Sequence, residues 1–191
     1  MSIIRLYRRV IGKFIRIRIK KSINGKGNRI FFDRSLTGGT LRIIISGNNN
    51  EIVVGPNCWF QGVNTFFIVG DNNRIDIGQG VTFDGKVDFV LGEGTSVKIG
   101  DDCMFANNVL FRTSDQHAIY NADNERINRG GGILIDAHVW LGQKVTVMKN
   151  VTVGKGTMVG YGSIVTKSLP ENCIAAGSPA RVIKRGILWK R

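Results

Sequence analysis

The chain has 191 residues, enough for one domain with a small appendage. Its 42% apolar content and 25 glycines exclude a disordered chain, and no apolar stretch approaches the roughly 20 residues that span a bilayer. The formal charge of +13 sits at one end: residues 1–29 hold ten Lys or Arg and no acid, leaving 17 basic against 14 acidic residues elsewhere. A nucleic-acid binder is disfavoured, because the positive charge is terminal and the body has no interleaved stacking motif.

Residues 2–15 place Ile3, Tyr7, Val10 and Phe14 at helical spacing, with Arg5, Arg8, Arg9 and Lys13 between them. That pattern predicts a short amphipathic N-terminal helix capping the body. Residues 16–20 then alternate like a strand. Residues 1–29 are read as a basic amphipathic segment, 30–185 as the main domain and 186–191 as a basic tail. An apolar stripe among ten cations suits an anionic membrane surface. No secretory signal is recognised, so the expected location is cytoplasmic, with peripheral contact at the inner membrane face.

From Val54 to Phe111 the chain repeats every 22 or 23 residues. Each repeat carries an aliphatic-Gly start, a phenylalanine six residues later and a second one six further on. Phe60, Phe83 and Phe105 are expected to stack as one internal ladder, and Phe66, Phe89 and Phe111 as another. Segments starting at Gly47, Gly70 and Gly92 mark an enlarged corner in each coil. Cys58 and Cys103 fall at inward positions and read, with Cys173, as buried free thiols.

Residues 112–134 interrupt the repeat and read as an extruded loop containing Asp115 and His117. Rigid scaffolds carry their chemistry on such excursions. Only two histidines exist, and an imidazole titrates near neutrality, so His117 is the candidate general base. Two histidines cannot build a three-histidine metal site, and no metal is expected.

From Ile135 to Val165 an almost unbroken six-residue period follows. Its fifth and first positions lie two apart and share a strand face: Val139 with Leu141, Val145 with Val147, Val151 with Val153, Thr157 with Val159 and Ser163 with Val165. Gly142, Gly154 and Gly160 open the turns. Short strands joined by regular turns stack as a parallel β-helix, an all-β solenoid. Trp140 above Met158, and Thr146 above Ile164, form outward stripes that suggest a covered face. Lys167, Arg181 and Lys184 gather after the last full coil and suit an anionic ligand.

Four stretches then carry a resemblance: Thr113 to His117, Asp136 to Gly142, Val159 to Lys167 and Ala175 to Lys184. With the repeat around them, they resemble the hexapeptide-repeat acetyltransferases, in particular the maltose/galactoside and polysaccharide O-acetyltransferase branch. The resemblance implies a left-handed β-helix, a homotrimer with clefts between subunits, and acetyl-CoA as co-substrate. Carried over by position, His117 is the base and Asp115 binds the acceptor or orients the imidazole. Asn107 contacts the acceptor. Trp140, Gly142, Gln143, Gly160 and Tyr161 line the pantetheine groove, and Thr166, Lys167, Arg181 and Lys184 reach the phosphates. Tyr161 departs from the pattern, which has alanine there, and Met148 stands where a small residue is usual. The function implied is O-acetylation of a sugar hydroxyl of a cell-surface polysaccharide or its precursor. N-acetylation of an amino-sugar nucleotide, antibiotic acetylation and a non-catalytic scaffold are the alternatives.

Overall fold

Alternation every second residue buries the positions the period singles out. Val139, Leu141, Val145, Val147, Thr157, Val159, Ser163 and Val165 all have no solvent exposure. A computed structural model describes residues 16–191, in which every regular element is a strand. The amphipathic helix expected over residues 2–15 lies outside the described residues.

The strands wind into a three-sided solenoid. The first side stacks Thr82–Phe83, Met104–Phe105, Trp140–Leu141, Met158–Val159 and Cys173–Gly177. The second side stacks Thr37–Ser46, Trp59–Val69, Val87–Gly92, Val109–Arg112, Thr146–Met148 and Ile164–Val165. The third is a six-stranded sheet running from Arg29–Phe32 through Ser96–Ile99 and Ile133–Ile135 to Val151–Val153. Within each of these stacks the pairing is parallel. At the C-terminal end Ala180–Arg185 turns back antiparallel on Cys173–Gly177 and closes the stack.

Pairing begins earlier than the sequence boundary at residue 30. Arg18–Asn24 pairs in parallel with Thr40–Ser46, so the second half of the basic segment is already the outermost strand. Lys20 and Lys21 lie exposed on it, and charges on an end strand block edge-to-edge association.

Inside, the two phenylalanine ladders form as expected. Phe60 stacks on Phe83 at 4.3 Å and Phe83 meets Phe105 edge-on at 5.5 Å. Phe66, Phe89 and Phe111 follow at 4.8 and 4.6 Å. All six rings are fully buried, each contributing roughly 1.5–3 kcal/mol relative to exposure.

The enlarged corner holds a polar ladder that the pattern did not reveal. Asn50 Oδ1 accepts from the Asn73 backbone and side-chain amides at 2.8 and 3.0 Å. Asn28 Oδ1 serves Asn50 in the same way, and Asn73 Oδ1 accepts from Thr95 N. Each coil thus satisfies the buried amide of the next, where an unmatched group would cost about 1–3 kcal/mol.

The turn-opening glycines Gly142 and Gly154 act through space, not through backbone angle. Left-handed φ values fall on His138, Lys144, Asn150, Gly156 and Gly162. Gly142 and Gly154 have ordinary φ, but a Cβ on Gly142 would lie 2.9 Å from Val159 O and one on Gly154 2.5 Å from Glu171 N. They are small because the next coil's backbone passes at that distance.

Candidate active site

Between the second and third sides the chain leaves the solenoid at Thr113 and returns at Ile133. The neck is closed by Gly131 N donating to Thr113 O at 2.9 Å. Beyond it residues 119–127 form a small hairpin: Ile127 N bonds Ile119 O, and Asn121 Oδ1 accepts from Asp123 N and Glu125 N at the tip.

Glu93, one coil earlier, fastens the neck. Its carboxylate accepts from Ser114 Oγ, from Gly130 N at 3.1 Å and from the Arg126 guanidinium at 2.8 Å. These donors, the Ser114 hydroxyl foremost, hold its carboxyl down at about 2.

His117 stands exposed on the solvent side of this loop, and its imidazole has no hydrogen-bond partner among the described residues. Its backbone is held: His117 O accepts from Asn128 Nδ2 at 2.8 Å. Asp115 does not reach the ring. Its Oδ2 accepts from Lys149 Nζ at 2.5 Å and from Asn128 Nδ2 at 2.9 Å. The lysine, then the amide, hold the Asp115 carboxyl below its usual range. Of the two roles implied for Asp115, orienting the imidazole is not the arrangement within one chain.

The other candidates divide among corners. Asn107, Gly142, Gln143, Gly160 and Tyr161 stack on the corner between the first and second sides. Asn107 O accepts from Lys144 N and Gln143 O from Gly162 N. Asn107 Oδ1 is committed to Lys86 N at 2.8 Å. Trp140 and Met158 are register partners on the adjoining outer face. Glycine stands at two levels of this corner, where a Cβ would lie 2.9 Å from Val159 O at Gly142 and 3.2 Å from Ala176 Cβ at Gly160. The Tyr161 ring is 64% exposed, with Lys144 Nζ 5.5 Å from its centroid.

Thr166 and Lys167 lie on the His117 corner, at the other end of the second side. Arg181 pairs with Ala176 above Gly160, and Lys184 with Ile174 toward the third side. One chain therefore does not bring the four phosphate candidates together, nor Asn107 to His117. Asn107 and Asn108 lie in the turn, Asn108 with a left-handed φ of 61°, and the strand Val109–Arg112 separates the two corners by roughly 10–13 Å at about 3.3 Å per residue.

The basic tail packs against the body. Ile187 N donates to Asn172 O. Trp189 stacks on His138 at 3.9 Å and lies 5.9 Å from Trp140. Arg191 reaches Asp102 and the Cys103 carbonyl. His138 is thus a turn residue holding the tail, with Nδ1 2.6 Å from Asp102 Oδ2. Burial pushes the Cys58 thiol up to about 11 and Cys103 to about 12, which removes both as nucleophiles. Sequence reasoning missed Asn128, Lys149 and Glu93, since their roles come from contacts between coils.

This three-sided parallel solenoid has the architecture of the left-handed β-helix acyltransferases. The chain matches no protein-family model. It is 35% identical over 178 residues to the polysialic acid O-acetyltransferase of Neisseria meningitidis, covering 82% of each chain. It is 47% identical over 120 residues to the polysialic acid O-acetyltransferase of Escherichia coli O1:K1, 62% of this chain but 39% of that one. The crystal structure of the polysialic-acid-specific acetyltransferase NeuO superposes with a TM-score of 0.70 at 34% identity, covering 91% of this chain and 89% of that chain. The chain belongs to the hexapeptide-repeat acetyltransferases, in their polysaccharide O-acetyltransferase branch.

Proposed function

We propose that this protein transfers acetyl from acetyl-CoA to a sugar hydroxyl of a cell-surface polysaccharide or its precursor, with His117 as general base. The observation that carries the reading is an exposed imidazole on a fixed backbone, at the one long excursion from a regular solenoid. Relatives named for O-acetylation of polysialic acid support the acceptor class.

His117 takes the proton of the acceptor hydroxyl as its oxygen attacks the thioester carbonyl. It returns that proton to the departing CoA thiolate. Trp140, Gly142, Gln143, Gly160 and Tyr161 would hold the pantetheine arm, and Thr166, Lys167, Arg181 and Lys184 the phosphates. His117→Ala should abolish acceptor-dependent thiol release from acetyl-CoA across a panel of oligosaccharides and nucleotide-sugars. Full turnover by that variant would sink the base assignment.

The active unit is a homotrimer. Asn107 and His117 lie at opposite ends of the second side. If three such sides face a common axis, the His117 corner of one chain meets the Asn107 and Gly142 corner of the next. Thr166 and Lys167 then approach a neighbour's Arg181.

Residues 1–29 contact an anionic membrane surface. Among the described residues no helix is long and apolar enough to cross a membrane. Flotation with anionic liposomes should be strong for the full chain and weak for one starting after Asn28. Equal partitioning ends the idea.

A further inference from the structure

His117 depends for its position on a fixed backbone, because the imidazole itself makes no hydrogen bond to another described residue. One residue supplies that fixation. Asn128 is 9% exposed, and three of its four side-chain amide hydrogen bonds go to the histidine segment, the fourth being a long one from Arg126 Nε at 3.5 Å. Oδ1 accepts from Ile119 N at 2.7 Å, while Nδ2 donates to His117 O at 2.8 Å and to Asp115 Oδ2 at 2.9 Å. The chain is thus gripped two residues before His117, at His117 itself, and two residues after it.

The grip is anchored to the solenoid. Lys149, on the coil that follows the loop, donates to Asp115 Oδ2 and to the backbone carbonyl of Asn128 itself at 3.0 Å. Just ahead of the histidine, Gln116 has a left-handed φ of 64°, and its N–H is capped by Ser114 Oγ at 2.9 Å. A non-glycine residue in that region needs its surroundings to hold it. The carboxamide is matched to its place. It presents one acceptor to an N–H and donors to a carbonyl and a carboxylate. Aspartate would offer no donor and would set a second negative charge beside Asp115. Alanine would leave the His117 carbonyl and the Ile119 amide unmatched and would remove one of the two donors, Lys149 being the other, from the Asp115 carboxylate.

We infer that Asn128 is the positioning residue for His117: it sets where the imidazole stands relative to acceptor and thioester without touching either. The inference rests on the general-base reading of His117. Direct transfer needs the reacting atoms held within a few tenths of an ångström, and a displacement of about 1 Å costs on the order of a hundredfold in rate.

The test uses the full chain with acetyl-CoA and oligosialic acid. It compares wild type, Asn128→Ala, Asn128→Asp, His117→Ala and the Asn128→Ala/His117→Ala double variant. Both Asn128 variants should lose about a hundredfold in kcat, with KM for acetyl-CoA within about twofold. Any turnover that remains in His117→Ala should fall no further on adding Asn128→Ala, because two residues acting as a unit are not additive. Amide exchange measured by mass spectrometry over residues 115–119 should speed up by roughly tenfold in Asn128→Ala. That arm needs no acceptor, and Asn128→Asp preserves side-chain volume should the alanine variant fold poorly.

Wild-type kcat in the Asn128 variants, an equal further loss in the double variant, or unchanged exchange over 115–119 would overturn the positioning role. A fully active His117→Ala would instead overturn the base reading, leaving the exchange arm to decide whether Asn128 holds the segment.

Discussion

At the scale of single residues, the loop depends on two carboxylates whose charge the fold stabilises. Glu93 is held at about 2 by the Ser114 hydroxyl, the Arg126 guanidinium and Gly130 N, against roughly 4.3 for a free glutamate. A depressed folded-state pKa means its contribution is complete above the free value and is lost as pH falls through the folded one. Loop stability should therefore decline between about pH 4.5 and pH 2. Exchange over residues 114–130 should rise in that window, and Glu93→Gln should make the loop labile already at neutral pH. Residual acid sensitivity in that variant would belong to Asp115, which is depressed by Lys149 and Asn128. A flat profile for the unaltered chain from pH 6 down to pH 2 would contradict the role given to Glu93. The same scale explains which residues the sequence made legible. Inward Val139, Leu141 and Thr157 follow from alternation alone. Gly142 and Gly154 stood out as glycines, but the reason for them, a passing backbone at 2.9 and 2.5 Å, belongs to the neighbouring coil.

At the scale of elements, legibility follows periodicity. Strands on each side repeat the same inward choice, so the period predicts the stripes Trp140 over Met158 and Thr146 over Ile164, and the register contains both pairs. The phenylalanine ladders follow for the same reason. The enlarged corner was visible as a turn-rich segment, yet its buried Asn50 and Asn73 were not. Asparagine in a turn is ordinary, and only stacking at one coil per 22 or 23 residues converts it into a ladder. The loop was visible as a break in the period, which located His117. Its fastening was invisible, because Lys149 lies 34 residues from Asp115 and Glu93 lies 37 from Gly130. No local pattern encodes contacts at those separations. The tail shows the same limit. Trp189 reads as the end of a basic segment in sequence, whereas in the fold it stacks on His138 51 residues away.

At the scale of the whole molecule, the proposed trimer would bring together candidate residues that one chain keeps on separate corners. The outward face of the second side joins the two corners that one chain keeps apart. One row holds Phe67, Val90 and Arg112 in register, and the adjoining one Thr65, Asp88, Leu110, Thr146 and Ile164. Ile164 is 36% exposed, and Val63 and Val69 are more exposed still. Phe67, Val90, Leu110 and Ile164 make this wall partly apolar between the charged Asp88 and Arg112, a mixed surface that a partner copy could cover. Three copies related by a threefold axis would cover it, and closed symmetry leaves no copy with an unpaired wall. Leu110→Asp places a charge in the middle of that row without touching the core, since Leu110 points outward beside buried Phe111. Its expected effect is dissociation to monomers in sedimentation velocity, with the β-sheet circular dichroism signal retained. Acetyl transfer should fall at least a hundredfold, because the His117 corner loses its facing Asn107 and Gly142 corner. A monomeric Leu110→Asp that keeps full activity would mean that each chain holds a complete site. A trimeric Leu110→Asp would move the threefold axis to another wall.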